Sequence, residues 1–407
     1  MIPRESYFKQ IEPFIGKNII KVLVGVRRCG KSTLLEMLYQ HFLEQGVPAK
    51  DMLHIRLESN EFSELTDETA LTSYVLSHID KAHHVKLLFD EIQEINGWEN
   101  ALRSFMVDLD ADIYITGSNA HVLSSDLATY ITGRYVTIDV YPLSFSEFCP
   151  AYLKANSAAT EQSAFAAYVT QGGFPFQDAL GFNKDASLKY LEDLISTILL
   201  KDVVKRNGIR DIDLLERLSR YAAAEEGHLL SVKSVSDFLK SERRKTSFDT
   251  IASYLNAAEK AFLFYKAPRE DAVGKQRLAF NEKWYVVDQG LRQAMGMSNQ
   301  ANIDQVIEGI VFMELKRRGY KISVGRVDDL EVDFIARRGS KTEYYQVTYL
   351  MADERTRNRE FAPLLVIPDN YPKTILSMDQ FDFSKDGIGT VNLIDWLLNR
   401  HTESAAR

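Results

Sequence analysis

Residues 22–35, VLVGVRRCGKSTLL, constrain the chain more than any other stretch. An apolar, β-branched run breaks into a turn spelling G-x-x-x-x-G-K-S and continues as the helix-forming pattern STLLEMLYQHFLE. Glycines let the main-chain N–H groups wrap an anion, and the start of the helix adds the positive end of its dipole. Such a loop requires a buried strand feeding directly into a helix. Gly25, Val26, Arg27, Arg28, Cys29, Gly30, Lys31, Ser32 and Thr33 form the candidate cradle. The Lys31 ammonium suits the β- and γ-phosphates of a nucleoside triphosphate such as ATP, and the Ser32 hydroxyl suits Mg²⁺. Cys29 reads two ways, as a thiol sensitised by the helix start or as a tolerated side chain at a variable loop position.

The surrounding pattern supplies the rest of such a site. Short apolar strands near 18–24, 52–57, 85–90, 112–116 and 135–140 alternate with helical stretches, which implies an α/β domain with a parallel sheet covered on both faces. KLLFDEIQEI (86–95) is a buried strand ending in Asp90-Glu91. In this architecture an acid at the strand tip sits beside the phosphate loop. Asp90 is suited to hold Mg²⁺ through water, and Glu91 to orient the attacking water. DIYITGSNAHVL (112–123) ends a further strand in polar residues. Ser118 and Asn119 are candidates to sense the γ-phosphate, with helix capping as the plainer alternative. Arg134 precedes the next strand. It reads either as a cation for the transferring phosphoryl group, acting on a neighbouring subunit's nucleotide, or as a surface arginine. Tyr7 and the segment before Lys21 are the only candidates for the base.

Composition narrows the setting. A chain of 407 residues implies two to four domains. A net charge of −8 excludes a polycation, so any nucleic-acid contact must come from a local patch. Only two cysteines, Cys29 and Cys149, and no CxxC speak against zinc or disulfides and for a reducing cytoplasmic setting. No apolar run is long enough to span a membrane, and the N-terminus does not read as a signal peptide.

With these motifs in view, the chain resembles prokaryotic AAA-type ATPases that couple an N-terminal nucleotide-binding domain to a C-terminal domain of unknown function. The resemblance rests on GVRRCGKSTLL, LLFDEIQEINGWENALRSF, ITGSNAHVLSSDLATYITGRYVTIDVYPLSFSEF, GGFPFQDAL, WYVVDQGLRQ and EVDFIARR with YYQVTYL. It implies ATP hydrolysis and four domains: a P-loop ATPase core over 1–145, a helical lid over 146–220, a winged helix over 221–275 and a nuclease-like domain over 276–400. Arg134 matches the family's GR before the last core strand, which favours the arginine-finger reading and a homo-oligomer.

The last segment resembles the PD-(D/E)xK restriction-endonuclease-like fold. Glu308 matches the helix acid and Asp333 the strand acid, but the third motif reads Gln346-Val347-Thr348. An amide is a poorer metal ligand than a carboxylate, and threonine supplies no positive charge. The fold is expected to be kept and cleavage lost. In the winged-helix segment, 233–246 holds Lys233, Lys240, Arg243, Arg244 and Lys245 against two acids, a patch able to touch phosphates. The following helix is expected to bury Phe248, Ile251, Leu255 and Phe262. It turns outward a face with two acids and no arginine, unsuited to reading guanine edges. Further bases at Lys316-Arg317-Arg318 and Arg337-Arg338 read either as a phosphate-facing surface or as a solvated helix end and strand turn. The expected activity is Mg-dependent ATP hydrolysis driving a conformational change, on or near DNA. The alternative is a signalling or protein-remodelling switch.

Overall fold

The central strands of the N-terminal unit carry hardly any exposed residue. β1 (Ile20–Val24), β3 (Val85–Asp90) and β4 (Ala111–Gly117) are buried along their whole length. Their near-continuous apolar sequence is what a parallel sheet covered on both faces demands. The computed structural model describes residues 2–123, 131, 133–244, 246–274 and 282–400. Lys245 of the expected basic patch lies outside the described residues. The chain divides into two units, one of Met1–Tyr141 with Lys260–Phe262, the other of Pro142–Glu259 with Leu263–Arg407.

In the first unit α1 (Glu5–Ile11) precedes β1, and α2 (Lys31–Glu44), β2 (Met52–Arg56), α3 (Glu68–His78), β3, α4 (Trp98–Asp108), β4 and β5 (Tyr135–Asp139) follow. The five-stranded sheet runs β2-β3-β4-β1-β5, all parallel. That order sets β4 between β1 and β3, so the loops after these three strands open on one edge. Inside the sheet lies a charge cluster that the apolar pattern does not announce. Asp112 of β4 accepts from Lys21 of β1, from Lys86 of β3 at 3.0 Å and from the Tyr114 hydroxyl at 2.8 Å. The Gly16 N–H adds a further bond at 2.9 Å. Three full charges are tolerated there because each has a partner of opposite sign.

The second unit begins with α5 (Phe145–Ala155), whose Ser144 and Glu147 form a reciprocal cap. α6 (Glu161–Gln171) and α7 (Lys184–Thr197) follow, and α7 runs on into a π-helical turn over Ile198–Lys205. Next come α8 (Ile212–Ala224), β6 (Leu229–Leu230), α9 (Val232–Ser241), α10 (Phe248–Lys260), β7 (Phe264–Ala267), β8 (Arg269–Asp271) and β9 (Glu282–Val286). Among the described residues β6, β9 and β7 form a small antiparallel sheet in that order. After α11 (Gln289–Ala294), α12 (Ile303–Arg317) leads into β10 (Lys321–Val327), β11 (Leu330–Arg338), β12 (Lys341–Val347), α13 (Glu354–Leu365), β13 (Lys373–Ser377), β14 (Ile388–Asn392) and α14 (Leu393–Leu397). Their sheet runs β14-β13-β12-β11-β10-β8. One expectation fails here. Phe248 is 54% exposed, so the buried stripe of α10 rests on Ile251 and Leu255. Phe248 is the first residue of the helix, where the chain has not yet turned onto the core.

Candidate functional site

β1 ends at Val24 and the loop closes at Gly30, which has φ 107° and caps α2. Gly25 cannot be replaced without collision. Its φ is 155°, and a Cβ there would lie 2.0 Å from the Val140 carbonyl oxygen. Lys31 opens α2 and folds back over the loop, donating to the carbonyls of Gly25 at 2.9 Å and Val26 at 3.1 Å. An ammonium resting on backbone carbonyls can be handed to phosphate oxygens with no change of fold. Ser32 and Thr33 are exposed in the first helical turn, Val26 and Arg27 are buried, and Arg28 is exposed at φ 67°. Cys29 is fully buried, its Sγ 3.1 Å from the Val140 carbonyl, and burial pushes its thiol up. Of its two sequence readings, the geometry matches the unreactive one. Arg4 braces the loop from outside, donating to the Cys29 and Tyr141 carbonyls. Tyr7 is a correction. It is 1% exposed and its hydroxyl accepts from the Tyr141 N–H, so its ring is packed in the core rather than offered to a base.

Asp90 and Glu91 close β3 beside this loop, and both are buried. Glu91 adopts φ 57° and ψ 51°, a left-handed conformation costly for a side chain with a Cβ. The turn brings its carboxylate to 3.9 Å from the Lys31 ammonium. Burial acts to raise its pKa, but Lys31, the Gln93 amide, Arg27 and the Ser118 hydroxyl outweigh it and hold the carboxyl below its ordinary range. Glu91 is therefore ionised, fit to orient and polarise water. Ser118 and Asn119 are fully buried at the end of β4, and Ser118 faces Glu91. The sequence reading missed Thr116. Its hydroxyl accepts from the Glu91 N–H at 2.8 Å and donates to Asp90 at 2.6 Å. The one available signal was its place in the quoted ITGSN.

Arg134 lies elsewhere. It is exposed, immediately before β5, whose first residue Tyr135 pairs with Ile20 at the start of β1. The phosphate loop leaves the other end of β1, about 15 Å away along the strand.

The residues suit Mg²⁺ bound with a nucleotide. Ser32 and Asp90 are hard oxygen donors, and phosphate and water supply the remaining positions for this ion. Among the described residues no group of three or more His, Cys, Asp or Glu is placed to hold a metal alone.

The second unit brings Glu308 of α12, Asp333 of β11 and Gln346 of β12 together. The Asp333 N–H donates to the Gln346 amide oxygen at 3.3 Å, and Asp333 accepts from the Val347 N–H at 2.8 Å. Gln346 donates to Glu360 of α13 at 3.1 Å. Glu308 accepts from Lys283 at 3.0 Å and from the Tyr285 hydroxyl at 2.7 Å, and Lys283 also meets Glu331 at 2.8 Å. Burial opposes the Lys283 charge, but Glu308, Asp333 and Glu331 outweigh it and hold the ammonium protonated. Burial, reinforced by Glu308, raises Asp333 well above the carboxylate range. Sequence reasoning missed Lys283, which arrives from β9, fifty residues before the strand acid. A lysine at a buried position of an apolar strand was the available hint.

The basic runs are largely paired within the protein. Arg317 and Arg318 bond Glu314 at 2.6 and 2.8 Å, and Arg337 bonds Glu270 at 2.9 Å. Lys240 meets Asp237 at 3.0 Å, and Arg244 meets Asp211 at 3.7 Å and Asp213.

The AAA domain family matches residues 17–149, which hold the loop and both acids, and a domain of unknown function matches 162–302. These findings define a P-loop AAA-type ATPase domain. A Haemophilus influenzae protein, itself described as uncharacterized, is 36% identical over 98% of this chain and 99% of its own. The chain belongs to one family with this Haemophilus protein. An uncharacterized protein of Methanocaldococcus jannaschii is 28% identical, over 86% of this chain and 79% of its own. Among solved structures, the Aeropyrum pernix ORC1 protein in complex with DNA aligns over 74% of this chain and 94% of its own, at 10% identity and a TM-score of 0.34. No helix among the described residues is long and apolar enough to cross a membrane.

Proposed function

We propose that the protein is a Mg²⁺-dependent ATPase whose hydrolysis drives a conformational change passed to its C-terminal domains, acting on or near DNA. The observation that carries the ATPase reading is the convergence of Lys31, Asp90 and an ionised Glu91 on the edge where β1, β3 and β4 end. Lys31 and the loop amides bind the phosphates, Ser32 and Asp90 hold the metal, and Glu91 orients the attacking water. Arg134 sits at the opposite end of its own strand pair, which supports its completing a neighbouring subunit's site in a homo-oligomer. The order α8-β6-α9-α10-β7-β9, with the sheet arranged β6-β9-β7, supports a winged helix. The order α12-β10-β11-β12-α13-β13 supports a nuclease-like core whose cleavage chemistry is lost, its centre filled by Lys283. Residues 146–220 are the helical lid of the ATPase core in this reading.

A protein-remodelling switch is the second reading, and one observation favours it. Lys240 and Arg244 of the basic patch are bonded to Asp237, Asp211 and Asp213, which leaves less charge for phosphates. The test is ATP turnover with and without single- and double-stranded DNA at two salt concentrations. The DNA reading expects stimulation that fades steeply with salt. Turnover indifferent to DNA overturns it in favour of the protein partner, and absence of turnover overturns the ATPase reading itself.

A further inference from the structure

Thr116 ties both acids of the nucleotide edge to β4. Its side chain is fully buried on β4, and its one hydroxyl serves both acids of β3. A hydroxyl has one proton to give and lone pairs to receive. The Glu91 N–H at 2.8 Å occupies a lone pair, so the proton is directed to Asp90 at 2.6 Å. Two things follow. The donated proton engages one oxygen of Asp90, leaving the other to the metal or its water. The accepted bond satisfies the N–H of a residue held at φ 57°. The β3–β4 ladder has its last residue pair at Phe89 and Ile115, two positions before Glu91, so it does not supply that partner. Without the hydroxyl, a buried N–H is orphaned at a left-handed position, and the turn that points Glu91 toward Lys31 has no tie to β4.

We propose that Thr116 is the positioning residue of the hydrolytic step, a single hydroxyl that fixes both the metal-side acid Asp90 and the water-orienting acid Glu91. It acts through the Asp90 carboxylate and the Glu91 main-chain N–H. The proposal rests on the ATPase reading. It assigns the polar end of β4 a role in holding the acids, in addition to any contact of Ser118 or Asn119 with phosphate.

The experiment compares the full-length wild type with Thr116→Val, Thr116→Cys and Thr116→Ser. MgATP affinity is measured by calorimetry, and kcat and KM by steady-state turnover across a Mg²⁺ titration. Valine keeps the volume and removes both bonds; cysteine keeps a small side chain with only weak bonds. Displacing a catalytic group by about 1 Å costs on the order of 10²-fold in rate. Thr116→Val is expected to bind MgATP within about threefold of wild type while kcat falls by roughly that factor. Its Mg²⁺ requirement should rise, and Thr116→Ser should restore most of kcat. If valine unsettles the fold and nucleotide uptake disappears, Thr116→Cys takes its place with the same expected split. Turnover by Thr116→Val or Thr116→Cys within threefold of wild type overturns the proposal, as does a loss that falls on KM alone. A wild type that neither binds nor hydrolyses ATP instead removes the ATPase reading on which the proposal stands.

Discussion

Replacing Lys283 with methionine removes one buried ammonium and keeps most of its apolar stem. The ammonium lies 3.0 Å from Glu308 and 2.8 Å from Glu331, and its side chain is only 4% exposed. At an effective dielectric near 20, one such contact is worth about 5 to 6 kcal/mol of attraction. Glu331 is a third exposed and therefore screened, so its share is smaller. Taking the ammonium out of water costs several kcal/mol, which offsets much of the rest. What remains is the cost of leaving the Glu308 carboxylate without its buried cation. Breaking a buried pair in this way costs about 3–5 kcal/mol. Denaturant unfolding followed by tryptophan fluorescence suits the question, because Trp284 is the next residue along β9. Lys283→Met is expected to lose about 3 kcal/mol, and Glu308→Gln in the same chain should return about 2 kcal/mol of it. Lys283→Met within about 1 kcal/mol of wild type, with the second change purely additive, would refute the account of this cluster.

Two further outcomes follow from the geometry. Gly25→Ala drives a Cβ to 2.0 Å from the Val140 carbonyl, so MgATP uptake measured by calorimetry should vanish; retained uptake would mean the loop relaxes freely. Glu226 contributes a pH dependence. Burial raises its carboxyl to about 8 from an ordinary 4.5, against the pull of Arg292 at 3.0 Å. The folded state therefore holds this proton more tightly, so the contribution is full below about pH 4.5 and lost as pH rises through about 8. Glu226→Gln should flatten the melting temperature between those limits, and an unchanged slope would assign it to other groups.

The nucleotide edge was legible because its signals are local. Strand, glycine turn and helix follow one another within fourteen residues at 22–35, and Asp90-Glu91 ends an unbroken apolar run. The three central strands of the sheet could be read for the same reason, since burial on both faces writes itself into consecutive residues. Thr116 was quoted and passed over, because a threonine inside an apolar strand looks like ordinary β-branched packing until its neighbour strand is known. Lys283, Lys21 and Lys86 were hidden more deeply. Each is explained only by a carboxylate on another element, and no spacing rule connects them. The π-helical turn over Ile198–Lys205 likewise left no mark in the periodicity of ILLKDVVK.

The central claim is that the loop from Gly25 to Ser32, with Asp90, holds a magnesium-bound triphosphate. Calorimetric titration of the purified full-length chain with ATP, with and without Mg²⁺, measures this directly. The account predicts one nucleotide taken up per chain, tighter with Mg²⁺, and no uptake by Lys31→Ala. A wild type that takes up no nucleotide, or a Lys31→Ala chain that binds it unchanged, would contradict the account.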